Sequence, residues 1–300
     1  MKKLIKNFKG KKILITGHTG FKGSWLTTIF CLLGSNVYGI SKNFPTNFYK
    51  SLNLKKVKKS IFDLSNYKKT KSKILSIKPD YIFHLAAQAI VSKSYTNPIE
   101  TWNSNLISFL NILDSLRYLN KDCKVVMVTS DKCYLNKESK IGYKENDTLG
   151  GVENYSASKA SCEILFKSYF ESYFKNKKKI KIATARAGNV IGGGDWSKDR
   201  IVPDCIKSWS RNEAVKIRNP NSTRPWQHVF EPLSGYITLA IKLKENISLS
   251  GEAYNFGPPG NQNHTVDELI MEMNKFWEDI AWEYEVKKGK AFHEASLLLF

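Results

Sequence analysis

The sequence predicts an α/β fold, a doubly wound parallel sheet followed by a smaller C-terminal lobe. Short, near-continuous apolar runs alternate with helical segments through the first half of the chain. Such strands are buried on both faces, as in a parallel sheet covered by helices on either side. The first run also leads straight into a glycine-rich loop and then a helix, the place where such sheets meet a phosphate.

KKILIT (11–16) is the first strand, and a helix over 21–33 ends at Gly34. NVYGI (36–40) and VKKSIF (57–62) read as the second and third strands, with a helix over 66–77 halted before Pro79. DYIFHLA (80–86) is the fourth strand. A long helix follows over Pro98–Tyr118, with proline in its first turn, where its missing N–H costs nothing. KVVMVTS (124–130), a helix over Asn154–Phe174 and IKIATAR (180–186) complete the alternation. Right-handed crossovers then wind the sheet in both directions. After Arg186 the rhythm breaks into AGNVIGGGDWSKDR, VKIR, a helix after Pro232, AYNFG and a helix over Thr265–Trp277. These are expected to form a lobe on the carboxyl edge of the sheet, giving a first domain over 8–186 and a second over 187–300. No linker-like composition or internal repeat separates them.

Hydrophobic content of 42%, with seven Trp and sixteen Phe, is enough to fill a core and excludes a disordered chain. Lys and Arg number 47 against 27 Asp and Glu, a formal charge of +20. The lysines are scattered over the whole length, and no nucleic-acid motif accompanies them, so a solvated basic surface is expected and no nucleic-acid partner. Five cysteines without CxxC spacing fit a reducing compartment and no metal site. The apolar part of the N-terminus is too short for a signal peptide, and no run reaches membrane-spanning length. A soluble, cytoplasmic protein is expected.

GHTGFKG places Gly17, Gly20 and Gly23 between the first strand and the first helix. Glycines there let the backbone turn tightly and approach a pyrophosphate, as in Rossmann-type dinucleotide sites. The spacing departs from G-x-G-x-x-G, and no GK[ST] follows. The acid expected about twenty residues further on, to hold the adenosine ribose, is missing. Ser41, Lys42 and Asn43 follow NVYGI, and Lys42 suits a 2′-phosphate, so this position leaves NAD and NADP open. Asp63 has two readings, a partner for the adenine amino group or a cap for the helix beginning near Asn66.

Tyr155 and Lys159, four apart in NYSASKA, fall on one side of a helix. A nearby ammonium lowers a phenol's pKa and equips it to take a proton from a sugar hydroxyl. Spacing alone decides little, because Tyr67/Lys71, Tyr173/Lys177 and Tyr284/Lys288 share it. The position of Tyr155, after the fifth strand and its loop, returns it to the carboxyl edge. Ser130, Asp131 and Lys132 stand side by side at the end of that strand, where charges must be solvated, paired or used.

In order along the chain, GHTGFKG, HLAAQ, TSDKCY, YSASK, ARAGNVIGGGDW and RNPNSTRPWQHVFEPLSGY resemble the extended short-chain dehydrogenase/reductase family, most closely its CDP-glucose 4,6-dehydratases. The resemblance covers roughly residues 8 to 296. It implies an NAD-dependent hydro-lyase that removes water from CDP-glucose for surface polysaccharide. It implies that Gly17, His18, Thr19, Gly20, Phe21, Lys22 and Gly23 bind the cofactor, with Asp63 and Leu64 beside them. Leu85, Ala86, Ala87 and Gln88 would lie along it, and Asn105 would brace the site. Tyr155 would be the base at the sugar C4 hydroxyl, Ser130 its hydroxyl partner and Lys159 the holder of the nicotinamide ribose.

Related dTDP-glucose dehydratases carry an Asp-Glu pair where this chain has Asp131-Lys132. Asp131 is therefore the expected acid at the C6 oxygen and Lys132 the expected base at C5, with desolvation lowering the lysine's pKa. Arg200, Arg218 and Arg224 are candidates for the diphosphate, with Asn189 beside them. Trp226 has two readings, a stacking partner for a base or, preferred for a lone Trp, filler of the lobe core, and His228 reads as hydrogen-bonded structure. The resemblance also implies a homodimer formed through the two long helices. Family members continue past HEAS, whereas this chain ends in SLLLF, so a shortened substrate lobe is expected. The rivals are a related epimerase or reductase, which needs no acid–base pair at 131 and 132, and a cofactor-binding protein without turnover.

Overall fold

The computed structural model describes residues 2–43, 45–139, 141–259, 262–277, 281–284 and 297. Seven strands form one sheet: β1 (Lys12–Thr16), β2 (Asn36–Ser41), β3 (Lys58–Ile61), β4 (Tyr81–His84), β5 (Cys123–Val128), β6 (Ile180–Ala187) and β7 (Ala253–Phe256). Their order is β7-β6-β5-β4-β1-β2-β3, and every neighbouring pair is parallel. The chain winds outward from β1 in one direction and from β4 in the other. A crevice therefore opens above the β1/β4 boundary, at the carboxyl ends of the strands.

Alternation along the strands feeds both faces. Ile13, Ile15 and Phe83 join one core with Phe30 of helix α1 (Phe21–Leu32) and Leu233, Tyr236 and Ile237 of a helix over Phe230–Glu245. Leu14, Ile82 and Val125 join the other with Ile112, Leu113 and Leu116 of the helix over Ser108–Arg117 and Phe166 of α2 (Asn154–Tyr169). Each such side chain, fully buried, contributes about 1.5–3 kcal/mol relative to exposure.

Both long helices bulge. The stretch expected over Pro98–Tyr118 is helical over Pro98–Trp102, passes through a π-turn at Asn103–Ile107 and resumes at Ser108. The stretch expected over Asn154–Phe174 ends in a second π-turn, Phe170–Phe174. Such turns shift the helical register and commonly mark functional positions.

Two elements assigned to the lobe belong to the sheet. Residues 253–256 of AYNFG pair with β6 as the seventh strand, and the helix carrying Pro232 packs on the sheet. That helix starts at Phe230, so Pro232 lies in its first turn. Thus the chain returns to the sheet after crossing residue 187. The lobe proper has a small core of Cys205, Trp209, Val215, Ile217 and Ile270. Its helix over Val266–Asn274 opens with a capping box between Thr265 and Glu268. The apolar ending HEASLLLF lies outside the described residues except for Leu297, as does Lys288. Among the described residues no helix is long and apolar enough to cross a membrane, and no cluster of His, Cys, Asp or Glu could hold a metal ion.

Candidate active site

Above the crevice the strand ends and the lobe enclose a cleft of about 950 Å³. Its walls include Gly17, Gly20, Phe21, Lys22, Gly23, Leu85 and Ala87 on the sheet side, and Asn189, Arg200, Arg218, Arg224 and Trp226 on the lobe side. Ser130, Asp131, Lys132, Tyr155 and Lys159 lie between them.

The glycine loop is built for close approach. Gly17 has φ +70°, and a Cβ there would come within 2.9 Å of the Ala86 backbone. A Cβ on Gly23 would lie 2.1 Å from the Gly17 carbonyl oxygen. Gly20 caps α1 without a side chain, and the first helical bond runs from Ser24 N–H to Gly20 C=O. The amides of residues 21–23 therefore stay outside the helical ladder, at the positive end of the helix dipole. This cradle fits the pyrophosphate of a dinucleotide. His18 and Thr19 turn inward, with His18 in edge contact with Tyr49 at 5.2 Å and against Gly39. Burial lowers His18 to about 4.

Beneath the loop, Thr16 Oγ1 and His84 Nδ1 are 2.8 Å apart, and the Ala86 amide donates to Thr16 Oγ1 at 3.3 Å. Burial lowers His84 to about 3, so it stays neutral. Gln88 is committed to its own loop. Its amide donates to Asn105 Oδ1 at 2.8 Å, and its side chain bonds Ile90 and Thr101. Asn105 sits in the first π-turn and donates to Ser158 Oγ at 2.9 Å, tying that loop to α2.

Asp63 is not the helix cap. Asn66 is, accepting from the Lys69 amide. Asp63 Oδ1 accepts from the Ser65 amide at 2.9 Å, and Oδ2 holds Lys42 at 2.9 Å. The Leu64 side chain is in the core.

Glu153 starts α2 by accepting from the amides of Tyr155 and Ser156 at 2.6 and 2.8 Å. That cap places Tyr155 in the first turn, facing the end of β5. Burial raises Tyr155 to about 12, and a hydrogen bond with Ser130 opposes the shift. Lys159 follows one turn later on α2. Its ammonium is 6.0 Å from the Tyr155 ring centre, and burial lowers its own pKa. Tyr67 bonds Asp114 and Lys177 bonds the Leu116 carbonyl, both away from the cleft.

Asp131 opens a single turn at the strand end, Asp131–Cys133. Its Oδ1 accepts from Ser130 Oγ at 2.7 Å and from the Lys132 amide at 2.9 Å. Its Oδ2 is buried without a hydrogen-bond partner among the described residues. Burial raises the carboxyl's pKa, and the Lys132 charge works against it. Lys132 is half-buried.

On the lobe side Arg200 Nε is 3.5 Å from Asp195 and Arg218 Nη1 is 3.9 Å from Asp199. Arg224 is buried and donates to the Thr223 carbonyl. The Asn189 carbonyl accepts from the Gln227 amide. Trp226 is half-buried, lines the cleft and lies outside the lobe core, which departs from the core reading and agrees with the stacking one. Exposed His228 accepts from the Phe230 amide.

Sequence reasoning missed the support behind these groups. Glu163, one helical step beyond Lys159 on the same face, pairs with Arg186 of β6 at 2.8 Å and accepts from Thr184 at 2.9 Å. Its other oxygen accepts from Thr129. Arg186 also donates to Tyr134 Oη at 2.7 Å and the Glu145 carbonyl at 2.9 Å. Burial disfavours the guanidinium's charge, and Glu163 outweighs it, keeping Arg186 protonated. The pair fastens the helix of Tyr155 to the strand ends of Thr129 and Arg186. The i, i+4, i+8 spacing of Tyr155, Lys159 and Glu163 was the available signal.

This sheet order, glycine cradle and Ser-Tyr-Lys set define an extended short-chain dehydrogenase/reductase. Residues 14–291 match the family model described as GDP-mannose 4,6 dehydratase, and the chain belongs to that family. It is 41% identical to CDP-glucose 4,6-dehydratase of Salmonella typhimurium over 286 residues, 92% of this chain and 80% of that protein. It is 27% identical to UDP-glucuronic acid decarboxylase 1 of Danio rerio, covering 87% of this chain and 59% of that one. Among solved structures, an epimerase from Methanothermobacter thermautotrophicus superposes with a TM-score of 0.82 at 23% identity, covering 95% of this chain and 83% of the other. dTDP-glucose 4,6-dehydratase from Bacillus anthracis, in complex with NAD, gives 0.77 at 19% identity, covering 97% and 88%. These two share the fold.

Proposed function

We propose that this chain is an NAD-dependent sugar-nucleotide 4,6-dehydratase acting on CDP-glucose, a reading supported by the identity to the Salmonella enzyme and by the site. The observation that carries it is Asp131, a buried carboxyl with one oxygen unpartnered, beside Lys132 in the cleft that holds Tyr155. An epimerase has no use for that pair. Residues 8–186 would carry the cofactor, and 187–300, apart from the segments that rejoin the sheet, the substrate.

Bound NAD supplies a hydride acceptor at C4 that gives the hydride back at C6. Tyr155 takes the C4 hydroxyl proton as its phenolate, a form that burial opposes and the Ser130 hydrogen bond favours, and Ser130 holds that oxygen. Lys159, on the same side of α2, holds the nicotinamide ribose. The C4 ketone makes the C5 proton acidic. Lys132 takes it while Asp131 protonates the leaving C6 oxygen. When the hydride returns to C6, Lys132 gives the proton back to C5, so the lysine ends as it began and the proton lost by Asp131 leaves with the water. Burial of Asp131 favours the protonated form that this step needs. Arg200, Arg218 and Arg224 face the cleft where a diphosphate needs cations.

Lys132→Met tests the division of labour. Substrate should still reduce the bound NAD, read by nicotinamide absorbance, while water loss falls by about 10²–10⁴-fold. Unchanged turnover would remove Lys132 from the mechanism. A homodimer through the helices of residues 98–117 and 154–174 is favoured by Ile99 and Ile164, which are exposed on them, and sedimentation tests it. The cytoplasm is the compartment that suits a nucleotide-sugar substrate.

A further inference from the structure

NAD and NADP differ by a phosphate on the adenosine ribose, and the end of strand two is where a sheet of this order distinguishes them. Here β2 ends at Ser41 and Lys42 follows, with no acid in the usual place. A free lysine there would welcome the phosphate. Lys42 is engaged instead. Its ammonium lies 2.9 Å from Asp63 Oδ2, just beyond β3, and 3.7 Å from Glu100 Oε1 on the helix Pro98–Trp102. Glu100 also holds Lys93 at 3.1 Å. Two cations and two carboxylates meet, so the cluster offers no net positive charge. Asp63 is pinned through its other oxygen by the Ser65 amide, so Lys42 reaches over to a fixed acid.

We propose that the Lys42–Asp63–Glu100 bridge makes the cofactor site select NAD over NADP, replacing the missing strand-two acid with two acids from elsewhere in the chain. The inference rests on the NAD reading above. A 2′-phosphate carries a charge of about −1.5 to −2 near neutral pH. It would meet two carboxylates, and to use Lys42 it would have to displace Asp63. A neutral 2′-hydroxyl meets neither obstacle. Because Lys42, Asp63 and Glu100 are 43%, 35% and 38% exposed at the side chain, selectivity should weaken as salt rises.

Calorimetric titration of the full chain with NAD and, separately, NADP tests this without any turnover. The wild type should bind NAD at least about tenfold more tightly, the scale of one charged contact. Asp63→Asn also touches the adenine candidate, so the quantity to read is the NADP/NAD ratio of Kd values. That ratio should fall by about tenfold in Asp63→Asn and also fall in Glu100→Gln. Adding Lys42→Ala to Asp63→Asn should cancel the gain for NADP. Equal wild-type affinities, or a ratio unmoved in both single variants, would overturn the proposal. Failure of the folded protein to bind either dinucleotide would instead overturn the NAD reading on which it rests.

Discussion

At the β5–β6 end of the sheet, Arg186 and Glu163 meet at 2.8 Å with 4% and 2% of their side chains exposed. At the β2–β3 end, Lys42 and Asp63 meet at 2.9 Å with 43% and 35% exposed. The distances are nearly equal and the surroundings are not. Water solvates the second pair whether or not it forms, so it contributes about 0–1 kcal/mol. The first pair has no such alternative, and each partner stranded without the other leaves a buried charge. Burial therefore assigns the roles. One pair fixes the geometry of the reacting edge, and the other sets the charge that a cofactor's adenosine end meets.

Breaking the buried pair should have the largest effect on stability. Glu163→Ala should cost about 3–5 kcal/mol in denaturant unfolding, and Leu at both positions should recover much of that loss. An additive double mutant would contradict the coupling. Tyr155→Phe should leave the fold unchanged and lower turnover by about 10²–10⁴-fold, since the buried hydroxyl is lost without a change of shape. An equal loss of stability would move Tyr155 from the chemistry to the scaffold.

The buried histidines extend the same contrast to pH. Folding lowers His18 to about 4 and His84 to about 3 from 6.5, so below about 6.5 the unfolded chain takes up protons that the folded chain does not. Their contribution is complete above the unfolded pKa and is lost as pH falls through the folded values. Each proton contributes a slope of up to about 1.4 kcal/mol per pH unit in that window. His18→Asn should flatten the fall between pH 6 and 5, about where carboxylates remain ionised. At the exposed end, Asp63→Asn should change unfolding stability by less than about 1 kcal/mol while moving cofactor preference. A larger cost would place that pair with the buried one.

The central strands β1, β4 and β5 were legible because they are buried on both faces, and the glycine loop because its place between β1 and α1 is a backbone requirement. AYNFG was not. Its residues are only half-buried, and its assignment depends on pairing with β6, which no local pattern encodes. The motif residues of the site were legible one by one, but their partners were not. Arg186 stood only as the last residue of the sixth apolar run and Glu163 was not singled out, because burial of a pair is a tertiary fact. Lys42 left NAD and NADP open in the sequence, because its partners Asp63 and Glu100 come from distant segments. The pairing of Tyr155 with Lys159 was legible from spacing, whereas the burial that raises the phenol's pKa was not.

The most direct test of the central claim is mass spectrometry of CDP-glucose incubated with the protein and NAD in deuterated water. A dehydratase predicts loss of one water and uptake of solvent deuterium at C5, with no net consumption of NAD. A product of unchanged mass, or no product from a folded protein that binds NAD, would contradict it.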